Sequence, residues 1–143
     1  MIEPHIFPLR VYFEDTDAGG IVYYANYLRF AERARTEMLR SAGIESGHLM
    51  RQDKITLTVK TCHVDYQRPA HLDDLIEIQT KFESLTGARI TVEQTIYLVK
   101  NETIEENWLV RLRVQLACVS NRGKATRVPK QIRQLILDVI LNR

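Results

Sequence analysis

Cysteine is scarce in this 143-residue chain, which carries only Cys62 and Cys118. Neither belongs to a Cys-x-x-Cys pair, so neither a zinc knuckle nor a disulfide scaffold is indicated. Both fall in apolar, strand-like runs, where a reduced, buried thiol is the expected state. There is no excess of one charge: 20 Lys+Arg against 18 Asp+Glu leave +2. That is too little for bulk nucleic-acid binding, and no nucleic-acid partner is expected. No run of about 18 apolar residues exists, so neither a membrane-spanning helix nor stable membrane insertion is expected. The start, Met1-Ile2-Glu3-Pro4-His5, lacks the basic-then-apolar pattern of a secretory signal. A reduced, cytoplasmic compartment fits these absences. Repeats, linkers and low-complexity tracts are also missing.

What remains is ordinary globular material, 45% hydrophobic and 27% charged, which excludes a disordered or collagen-like chain. The length suits a single domain over 1–143, since two separate cores would each be very small. Residues 8–14 are short and β-rich. Asp15-Thr16-Asp17-Ala18-Gly19-Gly20 then forms a turn cluster. From Tyr24 to Ala42 the pattern is helical, with Tyr24, Leu28, Ala31, Ala34, Met38 and Ala42 recurring at spacings of three and four. Ala31 and Ala34 keep that face small enough to press on a sheet. Arg33 and Glu37 are an i,i+4 pair of opposite sign, and Gly43 is placed for a left-handed cap.

Period-two alternation follows over 55–66, 75–83, 89–99 and 109–119. Each run has one apolar and one mostly polar face, the mark of an antiparallel sheet covered on one side. Thr86-Gly87, Lys100-Asn101 and Asn121-Arg122-Gly123 supply turns. Pro129 suits the first turn of a last helix, with Ile132, Leu135, Ile136, Val139 and Ile140 as its apolar stripe. The fold class is therefore α+β: a five-stranded antiparallel sheet wrapped around one long helix, with a short C-terminal helix. One helix cannot cover five strands, so a homo-oligomer that joins sheet edges is expected.

The densest cluster of unusual residues is 12–35. Glu14, Asp15 and Asp17 precede two glycines, and a helix begins directly afterwards. Glycine permits close approach of a ligand to the main chain, and the first helical N–H groups lack internal partners at the positive end of the dipole. A carboxylate and free donors near each other are the minimal kit for attack on a carbonyl. The same residues also make a plain turn and cap. The Asp-Thr-Asp offers oxygen ligands of the kind Mg²⁺ takes, but no second acidic motif accompanies it and no metal site is assigned. No cofactor is expected either.

The stretch from Tyr12 to Arg35, with its Asp-Thr-Asp, Val-Tyr, Asn-Tyr and Glu-Arg-Ala-Arg, resembles the hotdog-fold thioesterases of the 4-hydroxybenzoyl-CoA thioesterase type. Within them it is most similar to the Tol-Pal-associated (YbgC) acyl-CoA thioesterase branch. Weaker likeness continues through Tyr66-Gln67-Arg68-Pro69-Ala70, Leu72-Asp73-Asp74 and Ile76-Glu77-Ile78. The resemblance implies a hotdog fold and hydrolysis of an acyl-CoA thioester to free acid and coenzyme A. Asp17 would be the catalytic nucleophile or general base, and the backbone N–H of Tyr24 the donor to the thioester oxygen. Gly20, Tyr24, Tyr27 and Glu32 would be the substrate-binding residues. Glu32 has equal standing as a helix-positioning acid. Many members of the branch carry His at the position of Tyr24. A tyrosine titrates near 10, which argues against His-type proton transfer here.

His5, His48, His63 and His71 lack a nucleophile partner and read as surface or structural residues. Arg122, Lys124, Arg127, Lys130 and Arg133 form an acid-free basic segment, either a solvated turn or a landing patch for coenzyme A phosphates or acyl carrier protein. Rival readings are an acyl-carrier-protein thioesterase and a non-catalytic acyl-binding module. The expected assembly is a homotetramer, a dimer of dimers.

Overall fold

A computed structural model describes residues 4–141, with the side chains of 139–141 excepted. Met1, Ile2 and Glu3, and the side chains of Val139 and Ile140 in the expected last stripe, lie outside the described residues. The elements run β1 (His5–Arg10), α1 (Asn26–Ser41), a single turn α2 (Ser46–His48), β2 (Ile55–Tyr66), β3 (Leu75–Leu85), β4 (Arg89–Lys100), β5 (Thr103–Ile104), β6 (Val110–Ser120) and α3 (Lys130–Leu141). The sheet is antiparallel in the order β1-β3-β4-β6-β2, with the two-residue β5 added beside β4. This is the α+β hotdog architecture, a sheet around a long helix with a short C-terminal helix.

Alternation decides which strand face meets α1. Ile76, Ile78 and Phe82 of β3, Ile90, Val92 and Ile96 of β4, and Leu112 and Val114 of β6 are all buried. Each such side chain contributes about 1.5–3 kcal/mol relative to leaving it in water. Ala31 and Ala34 of α1 are fully buried against them, so the short side chains do let the helix approach closely. The stripe itself is rotated from the expected one. It consists of Tyr27, Phe30, Ala31, Ala34, Met38 and Leu39, while Tyr24, Leu28 and Ala42 are exposed. Two adjacent helical rows share the alanines, and a period of 3.6 alone does not separate them.

Several local expectations shift. β1 begins at His5 and ends at Arg10, and residues 13–15 form a 3-10 turn rather than strand. The chain leaves the sheet there because the Tyr12 N–H donates to Asp15 Oδ2 at 2.8 Å. The helix starts at Asn26, two residues later than expected. Glu37 pairs with Arg40 at 3.4 Å instead of Arg33, and Arg40 also reaches Glu45 at 3.3 Å. The Gly43 cap is formed as expected: φ is +84°, Gly43 N–H donates to Arg40 O and Ile44 N–H to Leu39 O, the six-to-one closure of a Schellman motif. The turn into β5 places Asn101 and Glu102 both at positive φ, +53° and +66°, the geometry of a type I′ hairpin.

β2 is a sheet edge. Its helix-side face is only partly covered, so Val59 and Tyr66 stay 45% and 48% exposed. Cys62 is exposed for the same reason, against the expectation of a buried thiol, whereas Cys118 on the inner strand β6 is buried. His48, His63 and His71 are exposed. His5 is half-buried, with Nδ1 enclosed and without a hydrogen-bond partner among the described residues, and desolvation lowers its pKa below 6.5. No described helix is long and apolar enough to cross a membrane.

Candidate active site

Residues 16–22 form a miniature hairpin beside the start of α1. Thr16 bridges Val22, and Ile21 bridges His71. Gly20 N–H donates to Asp17 O at 3.0 Å, closing the turn, and Gly20 sits at φ +78°, where an L side chain costs about 1–2 kcal/mol. The Gly20 amide is thus committed within the turn. Its carbonyl accepts the Leu72 N–H.

Asp17 is exposed. Its Oδ1 accepts the Gly19 N–H at 2.8 Å, an Asx turn that orients the carboxylate. A Cβ at position 19 would stand 3.3 Å from that oxygen, so glycine there leaves the carboxylate uncrowded. The turn is tied to the helix through one carbonyl. Asp15 O accepts both the Tyr23 N–H at 3.0 Å and the Asn26 Nδ2 at 2.9 Å.

The first turn of α1 is wound tightly. Asn26 N–H donates to Tyr23 O and Leu28 N–H to Ala25 O, three-residue rather than four-residue closures. Among the described residues, no acceptor meets the N–H of Tyr24 or of Ala25. Ala25, the cap residue, is one of the orphan donors that every helix start leaves, and Tyr24 stands directly before it.

Next to them lies a cleft of about 260 Å³ lined by Ile21, Val22, Tyr24, Tyr27, Tyr66 and the segment after Tyr66. Tyr27 is 2% exposed. Its Oη accepts the Ala70 N–H at 2.9 Å, which staples the helix to the 66–71 segment. Desolvation pushes its phenol above 10, against the opposing pull of the Ala70 hydrogen bond. Ring contacts run from Tyr24 to Tyr66 (6.2 Å, edge-on), from Tyr27 to Tyr66 (5.8 Å) and from Tyr23 to Tyr24 (4.9 Å).

Glu32 lies elsewhere, on the exposed side of α1. With Arg35 it borders a separate groove of about 390 Å³ toward the first half of β2. The Arg35 guanidinium is held from beneath: its Nη1 donates to Gln94 Oε1 at 2.9 Å, and Gln94 Nε2 donates to Ala31 O and Thr80 Oγ1, both at 2.9 Å. Burial lowers the Arg35 pKa from its ordinary value. Of the residues expected at the site, Asp17, Gly20, Tyr24 and Tyr27 therefore gather around the helix start of one protomer, and Glu32 does not. Asp15, Asn26 and Tyr66 were missed as scaffold. Each stood in a quoted motif: Asp15 in the Asp-Thr-Asp, Asn26 in the Asn-Tyr, and Tyr66 in the Tyr66-Gln67-Arg68-Pro69-Ala70 run. Among the described residues, no three His, Cys, Asp or Glu side chains cluster as metal ligands. The basic segment lies at the far end of the sheet, where Arg133 donates to Gly87 O at 2.8 Å.

A turn that orients an exposed carboxylate, free amides and an aromatic cleft together suit acyl transfer to water. The chain belongs to the thioesterase-like superfamily, whose model matches residues 11–136. It is 41% identical over 128 residues to the acyl-CoA thioesterase YbgC of Haemophilus influenzae, covering 89% of this chain and 90% of that one. It is likewise 41% identical over 126 residues to the acyl-CoA thioester hydrolase YbgC of an Escherichia coli O6:H1 strain, covering 87% and 90%. The crystal structure of a probable thioesterase from Bartonella henselae superposes with a TM-score of 0.78 at 36% identity, covering 88% of this chain and 99% of that one.

Proposed function

We propose that this chain is an acyl-CoA thioesterase, one hotdog domain in which Asp17 and the N-terminus of α1 act together on the thioester. Acyl-CoA activity in relatives 41% identical over nearly the whole chain supports the substrate class. The observation that carries the mechanism is an oriented, exposed carboxylate next to a helix start whose Tyr24 and Ala25 N–H groups meet no acceptor among the described residues. The thioester carbonyl is received by the Tyr24 N–H, which stabilises the oxyanion as it forms. Asp17 takes a proton from water, whose oxygen bonds to the carbonyl carbon. The tetrahedral intermediate expels coenzyme A as thiolate, which recovers that proton. In the alternative course Asp17 attacks first, the C–S bond breaks, and water hydrolyses the resulting anhydride. Tyr27 and Tyr66 wall the acyl or pantetheine side, and Glu32 acts as a helix acid outside the reacting centre.

The compartment is the cytoplasm, and the assembly a homotetramer built as a dimer of dimers. The free β2 edge and the exposed Tyr24, Leu28, Val59 and Tyr66 support a partner on that side. Delivery of the acyl group by acyl carrier protein is a second reading, favoured by the exposed Arg122, Lys124, Arg127 and Lys130.

A thiol-release assay over short, long and aromatic acyl-CoAs tests the activity. Asp17→Asn is expected to lower kcat at least about 10³-fold while leaving acyl-CoA affinity and melting temperature unchanged. Wild-type turnover in that variant refutes the mechanism. Binding without thiol release by the unaltered protein would make it an acyl-binding module.

A further inference from the structure

A carbonyl just ahead of α1, that of Tyr24, has an unusual partner. In a regular helix Tyr24 O would accept the N–H of Leu28. Here Leu28 N–H turns to Ala25 O instead, at 3.2 Å. Tyr24 O accepts the hydroxyl of Tyr66 at 3.1 Å, from the last residue of β2, 42 positions away. The Tyr66 ring also packs against the rings of Tyr24 and Tyr27.

Tyr24 C=O and Ala25 N–H belong to one planar peptide unit. A hydrogen bond accepted at the oxygen polarises the N–H at the other side of that unit. It also fixes the plane of the peptide that follows the Tyr24 N–H. Preorganised donors act on a developing oxyanion only when they are already aimed before the charge appears. Among the described residues no backbone bond performs that service for the Tyr24–Ala25 peptide. The helix start is also tied by Asp15 O to the Tyr23 N–H and Asn26 Nδ2, and by Tyr27 Oη to the Ala70 N–H, but these ties do not touch that peptide.

We propose that Tyr66 is a positioning residue: its hydroxyl, bonded to Tyr24 O, polarises the Ala25 N–H and fixes the peptide plane that follows the Tyr24 N–H, the donor that receives the thioester carbonyl. The inference rests on the thioesterase reading above. It adds a residue from the sheet edge to a site otherwise built from the loop and the helix.

Tyr66→Phe tests it, because the ring contacts persist and only the hydroxyl is lost. The expected result is a fall in kcat of about tenfold, less than the 10²–10³-fold cost of losing a donor outright, with KM within about twofold. The melting temperature should stay unchanged, and the Ala25 amide signal in a ¹⁵N-resolved NMR spectrum should move upfield. An unaltered kcat overturns the proposal, as does a rise in KM with kcat unchanged, which would make Tyr66 a plain substrate contact. Asp17→Asn measured in parallel separates the two layers. Wild-type turnover there defeats the catalytic reading, whereas the Ala25 signal in Tyr66→Phe still reports whether the hydroxyl polarises that peptide.

Discussion

Two polar clusters flank the same helix, one at its start and one under its middle, and they are built on opposite terms. Under the middle, the side chain of the fully buried Gln94 is engaged on both sides: it accepts from Arg35 and donates to Ala31 O and Thr80 Oγ1. At the start, the Tyr24 and Ala25 amides meet no acceptor among the described residues, and the exposed Asp17 carboxylate is held by one oxygen, at the Gly19 N–H. A buried amide without partners costs about 1–3 kcal/mol, so the interior cluster is closed. A solvent-facing amide is satisfied by water at little cost, so the outer cluster stays open and free to take a ligand. The contrast separates a polar network that secures the helix on the sheet from one that, on the proposed function, takes part in the chemistry.

Breaking the closed cluster has the larger expected effect on stability. Gln94→Leu keeps the volume but strips Arg35 Nη1 and Thr80 of their partner. A loss of about 2 kcal/mol is expected, read as a drop of several degrees in melting temperature, with thiol release per folded molecule within about twofold. A large loss of turnover at unchanged stability would erase the distinction between the clusters. The two glycines of the Asp17 turn sharpen it. Gly20→Ala places a side chain at φ +78° and should cost about 1 kcal/mol. Gly19→Ala crowds Asp17 Oδ1 at 3.3 Å, so its effect should appear in kcat rather than in chemical denaturation. Equal behaviour of the two variants would mean that the carboxylate's setting is immaterial.

The smallest effect concerns His5, at the rim of the closed region. Burial lowers its folded pKa below the 6.5 of the free side chain, partly offset by Glu37. The unfolded chain therefore binds the proton more readily. The stabilisation is complete above about pH 6.5 and is lost as pH falls through the folded value. His5→Gln should flatten the acid limb of a melting-temperature profile below pH 6.5 and leave the plateau near pH 8 in place. An identical acid limb in the variant would assign that limb to other groups.

Much of this architecture was legible in the residues. Alternation over β3, β4 and β6 is set by a side-chain period of two, and the structure keeps it. Gly43 stops the helix because its left-handed backbone closes the Schellman bonds to Arg40 and Leu39. Illegible features depended on what comes near in space. The helix stripe was misread by one row, since nothing local says that Tyr24 and Leu28 look toward an uncovered sheet edge. Cys62 was placed inside for the same reason. Glu37 chose Arg40 over Arg33, a choice between neighbours about one turn away that differ by tenths of a kcal/mol. At the site, the acidic turn and the helix start were visible as a contiguous motif, but two residues that hydrogen-bond to the helix start, Tyr66 and Ala70, come from the end of β2 and the segment after it, more than 40 residues on.

By itself, then, the order of residues settled the local geometry: which segments pleat, where the helix ends, and that a carboxylate precedes two glycines at the helix start. Those depend on backbone angles and on a periodicity of a few residues. Only the folded chain decided that Glu32 stands apart from Asp17, that β2 is left as an edge, and that a tyrosine at the strand's end grips a carbonyl just ahead of the helix. Such facts follow from strand order and close packing, which bring distant side chains within 3 Å or leave them apart, and no short stretch of sequence encodes that distance.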